Sequence, residues 1–121
     1  MAEPDRQGLA AEFEDAMREG VRTLAALGYH ATRFEQMVDR NGGVEAARRL
    51  VDGNISDGLV TLRRMGRLDM SVELWVLFPH FRPLFDQPTR DKARRKLRQL
   101  GVDVEQALQH HPDPRAREDL T

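Results

Sequence analysis

The sequence predicts an all-α fold, a compact bundle of five to seven short helices, and three observations carry that prediction. Apolar residues recur at three- and four-residue steps, as in Leu9, Phe13, Met17, Val21 and Leu24, which is the repeat of one helix face. The stripes stop at glycines, at Gly28, Gly42-Gly43, Gly66 and Gly101, the residue best suited to the left-handed turn that closes a helix. A single stretch, Val72 to Phe78, alternates in the manner of a strand. A lone strand leaves its backbone N–H and C=O groups without partners, so this stretch is predicted to coil into a buried helix.

The first helix is predicted from about Asp5 to Leu27, with Glu12, Glu14, Asp15, Arg18, Glu19 and Arg22 on its polar faces. Gly20 inside it costs about 1 kcal/mol relative to alanine, and either admits a neighbouring helix or is simply tolerated. Thr32-Arg33-Phe34-Glu35 fits a capping box, in which the threonine hydroxyl and the glutamate satisfy free backbone donors. Phe34, Met37 and Val38 then form the apolar face of a second helix. Asn41-Gly42-Gly43 tolerates left-handed backbone angles and is expected to fold two short helices against each other. Val44, Ala47, Leu50 and Val51 mark the third, and small Ala46 and Ala47 suit close packing.

Residues 52–58, DGNISDG, read as a loop. A fourth helix from about Ser56 to Met65 carries Leu59, Leu62 and Met65. Asp69 is the expected N-cap of the fifth, buried helix. Pro79 and Pro83 disfavour helix at Phe78 and Arg82, so residues 78–85 are expected to form an apolar elbow. Asp86 caps a sixth helix, with Pro88 in its first turn. Ala93, Leu97 and Leu100 face inward, surrounded by Arg90, Lys92, Arg94, Arg95, Lys96 and Arg98. A short helix from Asp103 to His110 completes one domain over residues 1–110, followed by a flexible tail over 111–121.

Bulk composition narrows the chemistry. A length of 121 residues suits one domain, and 40% hydrophobic residues argue against global disorder. The absence of cysteine excludes disulfides, thiolate zinc sites and a cysteine nucleophile, and fits a reducing cytoplasm. The acidic, amphipathic start resembles neither a secretory signal nor a transit peptide. No apolar run approaches the roughly 18 residues that span a bilayer, so a soluble cytoplasmic protein without a membrane partner is expected. Charge is uneven. Residues 1–60 hold 7 basic against 11 acidic side chains, net −4; residues 61–102 hold 10 against 4, net +6; residues 103–121 hold 2 against 5, net −3.

No catalytic, cofactor-binding or metal-binding set emerges. Ser56 and Ser71, the only serines, fit helix caps rather than a nucleophile elbow. Glu73 is the one carboxylate embedded in an apolar segment, where an arginine, Arg67 or Arg82, is the expected partner. His30, His80, His110 and His111 follow no metal-ligand spacing, and adjacent His110 and His111 would project about 100° apart on a helix.

Linked motifs carry a resemblance. Gly28-Tyr29, Thr32, Phe34 and Met37 come first, then Gly42-Gly43, Ala46-Ala47 and Leu50, then Gly58 and Leu62. Gly66 to Glu73 (GRLDMSVE) and Phe81 to Phe85 (FRPLF) follow, ahead of the arginine-rich helix. The pattern covers about 60% of the chain and resembles a small bacterial all-helical accessory domain with no established activity. The resemblance implies a portable module suited to contacts rather than turnover. The expectation is therefore a non-enzymatic interaction module that binds a protein partner. Trp75, Phe78, Phe81 and Phe85 are the candidate anchors wherever part of the elbow stays exposed. The alternative is a nucleic-acid-binding protein using the basic helices at 59–67 and 87–100 through Arg63, Arg64, Arg94, Arg95 and Arg98. The acidic first half and basic sixth helix also make self-association an expectation.

Overall fold

A computed structural model describes residues 6–110. The predicted first residue of the opening helix, Asp5, the tail 111–121 and His111 lie outside the described residues. Among the described residues, seven α-helices follow one another: α1 Arg6–Ala26, α2 Thr32–Asn41, α3 Gly43–Asp52, α4 Asp57–Met65, α5 Val72–Trp75, α6 Gln87–Gln99 and α7 Val104–His110. Two 3-10 segments, Leu68–Met70 and Pro79–Leu84, join them. No strand occurs among the described residues, and the all-α class holds. α3 sits at the centre, against α1, α2, α5 and α6, while α1 also covers the second 3-10 segment.

The corner between α2 and α3 is tighter than the sequence implies. Gly42 alone closes one helix and opens the next, at φ 82°, ψ 163°, a region open essentially only to glycine. Its N–H donates to the Val38 carbonyl and its own carbonyl accepts from Ala46. The capping box does not form. Ala31 is the N-cap, without a side-chain bond, and Thr32 already lies inside the helix. Because the Ala31 carbonyl accepts from the Glu35 N–H, the cap falls at Ala31, one residue before the threonine that the motif would need there.

A side chain from a different helix caps α3. Glu14 on α1 accepts from the Gly43 N–H through Oε1 at 2.8 Å, meeting one of the free donors of a helix start. Arg18, one turn on, donates to Asp39 at 3.0 Å and so ties α1 to α2. The approach is close enough that a Cβ on Gly43 would lie 2.8 Å from the Glu14 Cα. Gly43→Ala should therefore destabilise the fold by about 1–3 kcal/mol through overpacking against backbone. Urea denaturation measures this, and an unchanged midpoint would mean that α1 and α3 separate without cost.

Both serines cap helices. The Ser56 hydroxyl accepts from Leu59 N–H at 3.1 Å, and the Ser71 hydroxyl from Leu74 N–H at 3.2 Å. Ser71 thus replaces Asp69 as the cap of α5. The Asp69 carboxylate is occupied by the Arg67 guanidinium at 3.0 and 3.1 Å, and its carbonyl accepts from the Trp75 indole N–H at 3.0 Å. The fifth helix is also far shorter than the apolar stretch around it. Every residue from Ser71 to Phe78 is buried, so the alternation of Val72, Leu74, Val76 and Phe78 reports no exposed face and carries no strand information. Phe78 is extended, as a residue before proline should be. Arg82 departs from expectation, because the 3-10 segment runs on through Pro83. Asp86 caps α6, accepting from Thr89 N–H at 2.9 Å.

Phe13, Val51, Phe81 and Leu97 lie at the centre of the core, fully enclosed. Phe13 meets Phe81 and Phe85 edge-on, with ring centroids 5.0 and 5.1 Å apart, the arrangement that aromatic quadrupoles favour.

Candidate functional site

One concavity is a partly open trough of about 830 Å³. α1 supplies Met17, Gly20 and Leu24, α2 supplies Phe34 and Met37, and α3 supplies Leu50. The loop after α3 adds Ile55, α4 adds Leu59 and Leu62, and the floor is Met70, Val72, Glu73 and Trp75. Phe34, Met37, Leu50, Ile55 and Met70 are only half-buried, so the lining is apolar and reachable. Tyr29, between α1 and α2, reaches to the first turn of α4. A Cβ on Gly58 would sit 2.6 Å from the Tyr29 hydroxyl. Gly20 has ordinary room, since a Cβ there would meet the flexible end of Met70 at 3.4 Å.

Glu73 on the floor is 2% exposed. Its partner is neither Arg67 nor Arg82 but Lys96, whose ammonium lies 2.8 Å from Oε2 and is almost as deeply buried. Arg67 is taken by Asp69, and Arg82 is exposed. Lys96 donates to the Leu50 and Val51 carbonyls at 3.0 and 3.4 Å. Its contact with Glu73 lies outside hydrogen-bond geometry, and Oε2 accepts no hydrogen bond among the described residues. The pair is therefore matched in charge and underprovided with donors.

α6 buries a second cation. Arg90 donates to Gln87 at 3.1 Å, while its Nε is enclosed without a partner. Burial, with Arg82 and Arg94 nearby, pushes its pKa down. Arg90 and Lys96 flank the Ala93–Leu97 stripe at helical spacing, so a wheel of α6 already places both beside the core. Only their arginine-rich surroundings argued for solvent.

The aromatic elbow is core. Trp75, Phe78, Phe81 and Phe85 are 8%, 2%, 0% and 7% exposed; Phe81 and Phe85 pack against Phe13, and Trp75 packs against Phe78 and Phe81. Trp75 alone also lines the trough. The five candidate nucleic-acid arginines divide between two helices. Arg63 and Arg64 are exposed on α4, Arg95 and Arg98 on α6, and half-buried Arg94 forms an ion pair with Glu105.

Near the trough rim, Arg48 and Arg49 both bond to Glu45, at 2.9 and 2.8 Å through their Nε atoms. Hydrogen bonds from Arg48 and then Arg49 hold the Glu45 carboxyl at about 2, below its ordinary 4.5. A depressed folded value means that this link is complete above about 4.5 and is lost as pH falls toward 2. Carboxyl NMR should place the Glu45 midpoint near 2, and an ordinary midpoint would mean that Arg48 and Arg49 are not bonded to Glu45.

Neither a protein family, nor a curated protein, nor a solved structure matches this chain. What the structure shows is an all-helical architecture over the described residues. Among the described residues, no three His, Asp or Glu side chains gather as a metal set. No helix there is long and apolar enough to cross a membrane.

Proposed function

We propose that this chain is a non-enzymatic interaction module whose trough receives an amphipathic helix from a partner protein. The observation that carries this reading is the trough itself. Half-buried apolar side chains from α2, α3, the loop after α3 and the first 3-10 segment converge on one open channel of about 830 Å³. Elsewhere among the described residues, the only large hydrophobic side chain left exposed is Leu27. Apolar side chains gathered along a channel suit recognition, and an open channel suits a rod with an apolar stripe. Met17, Met37 and Met70 supply adaptable lining. Exposed Arg33 at the rim has no ion pair among the described residues, which favours an acidic residue on the incoming helix. The motif resemblance supports a bacterial accessory role, and the cysteine-free sequence supports a reducing cytoplasm.

Selection from a displayed library of helical peptides tests the proposal. Peptides with apolar residues at i, i+3, i+4 and i+7 should bind the wild-type protein, and Met37→Glu should weaken them at least about tenfold by placing a charge in the lining. An empty selection, or peptides that bind Met37→Glu equally well, would refute it.

One observation supports the nucleic-acid alternative. Arg63, Arg64, Arg95 and Arg98 are exposed and form no ion pair among the described residues. Were they to meet phosphates, affinity for a short duplex should fall with log salt at a slope of about −3 to −4. No binding at low salt removes this alternative.

A further inference from the structure

We infer that Gly20 is a contact point for the partner helix: the docked segment lies along α1 and seats a large apolar side chain in the notch that Gly20 leaves beside Met17, Val21 and Leu24. This inference rests on the docking reading and adds the packing that selects the occupant. Gly20 sits well inside α1, where glycine weakens a helix relative to alanine. At Gly43, packing within the fold explains the glycine, because a Cβ would lie 2.8 Å from the Glu14 Cα. At Gly66, a left-handed backbone explains it, with φ 70°. Neither reason holds at Gly20. Its backbone is helical. Apart from its chain neighbours and the backbone of its own helix, a Cβ there would meet one atom among the described residues, the end methyl of Met70 at 3.4 Å. α1 packs on α2, α3 and the second 3-10 segment, and none of them comes within 4 Å of that position.

The surroundings of Gly20 make a hole for a knob. Met17, Gly20, Val21 and Leu24 stand at i, i+3, i+4 and i+7, so they share one face of α1, and each of them lines the trough. Four residues so spaced form the hole into which a facing helix inserts one side chain. Glycine at one corner deepens it. Gly20 and Val21 are half-buried, so the hole is open to an incoming chain, while buried Met17 and Leu24 form its apolar ends. Met70, also half-buried, is unbranched and flexible, and its end methyl can move aside. A leucine, methionine or phenylalanine on the occupant fills the notch. Packing of this kind sets two helix axes at about 20° to each other, so the occupant runs beside α1 rather than across it.

The test uses trough-dependent peptides from the selection described above, meaning those weakened by Met37→Glu. In urea denaturation of the free protein, Gly20→Ala should raise the folding constant about fivefold, because alanine is the better helix former. The same substitution should weaken the peptides about fivefold to tenfold by filling the notch. The opposite signs separate a docking role from a structural one. A glycine that the fold itself required would make Gly20→Ala less stable, and a glycine merely tolerated would leave peptide affinity unchanged. Either result would overturn the inference while leaving the docking reading intact. A double-mutant cycle locates the contact. The peptides should share one large apolar position whose replacement by alanine costs about tenfold against the wild-type protein. Against Gly20→Ala, where the knob no longer seats, the loss should be less than about threefold. Equal losses against both proteins at every apolar position would also overturn the inference alone. Failure to find any trough-dependent peptide would overturn both readings.

Discussion

Lys96→Met is expected to lower the free energy of unfolding by about 3–5 kcal/mol, the usual consequence of removing one member of a buried ion pair. The substitution keeps an unbranched side chain of similar length, so packing is nearly conserved and the electrostatic loss is isolated. What remains is a Glu73 carboxylate 2% exposed with no cation beside it. The Leu50 and Val51 carbonyls also lose the ammonium that bonds to them. Since a domain of this size is stable by about 5–15 kcal/mol, the variant should sit near the limit of folding. The paired change Glu73→Leu, Lys96→Met should recover most of the loss, because removing both charges leaves no orphan. Urea denaturation followed by far-ultraviolet dichroism measures both variants. A loss below about 1 kcal/mol for the single change would show that water reaches the pair and that Glu73 is not the enclosed floor described above.

Phe81→Ala should produce a loss of similar size, about 3–5 kcal/mol, from lost apolar burial and the cavity left behind. Phe81 is fully enclosed and touches rings on three sides. Phe13 lies edge-on at 5.0 Å, Trp75 stacks at 6.4 Å with 20° between the planes, and His80 lies edge-on at 5.0 Å. The site has little freedom to collapse into the void, because Pro79 and Pro83 stiffen the 3-10 segment on both sides of it. Phe81→Leu should cost less, since most of the volume is restored. A thermal midpoint for Phe81→Ala within a degree or two of wild type would show that α1 and the second 3-10 segment are not joined through this ring.

Most signals that act between near neighbours announced the structure. The helix stripes, the caps at Ser56, Ser71 and Asp86, and the Gly66 stop each depend on contacts within one or two turns. Two local signals misled. Thr32–Glu35 has the letters of a capping box, but the Ala31 carbonyl already accepts from Glu35, so the helix begins too early for the threonine to cap it. Asp69 has the chemistry of an N-cap, but Arg67 and the Trp75 indole claim its oxygens first. In both places a competing bond occupies the group that the motif needs.

The trough was not legible at all. Its lining comes from Met17, Phe34, Leu50, Ile55, Leu59 and Met70, residues far apart in the chain and none of them unusual alone. The aromatic elbow drew notice as a docking surface because four large rings lie within eleven residues, yet all four are buried, Phe81 and Phe85 against Phe13 on α1. Glu73 stood out as a carboxylate in apolar company. Its partner did not, because Lys96 sits among five other basic side chains on α6.

Read without coordinates, the chain decides that it is helical, where its helices stop, and that it carries no nucleophile or metal-ligand motif. Those properties follow from spacing, capping chemistry and composition, which act over a few residues. The close seating of α3 on α1 through Gly43 and Glu14, the Glu73–Lys96 pair and the open channel between α2 and α4 arise only when distant segments meet. Burial and desolvation depend on what lies across the fold, and three-dimensional packing alone supplies that.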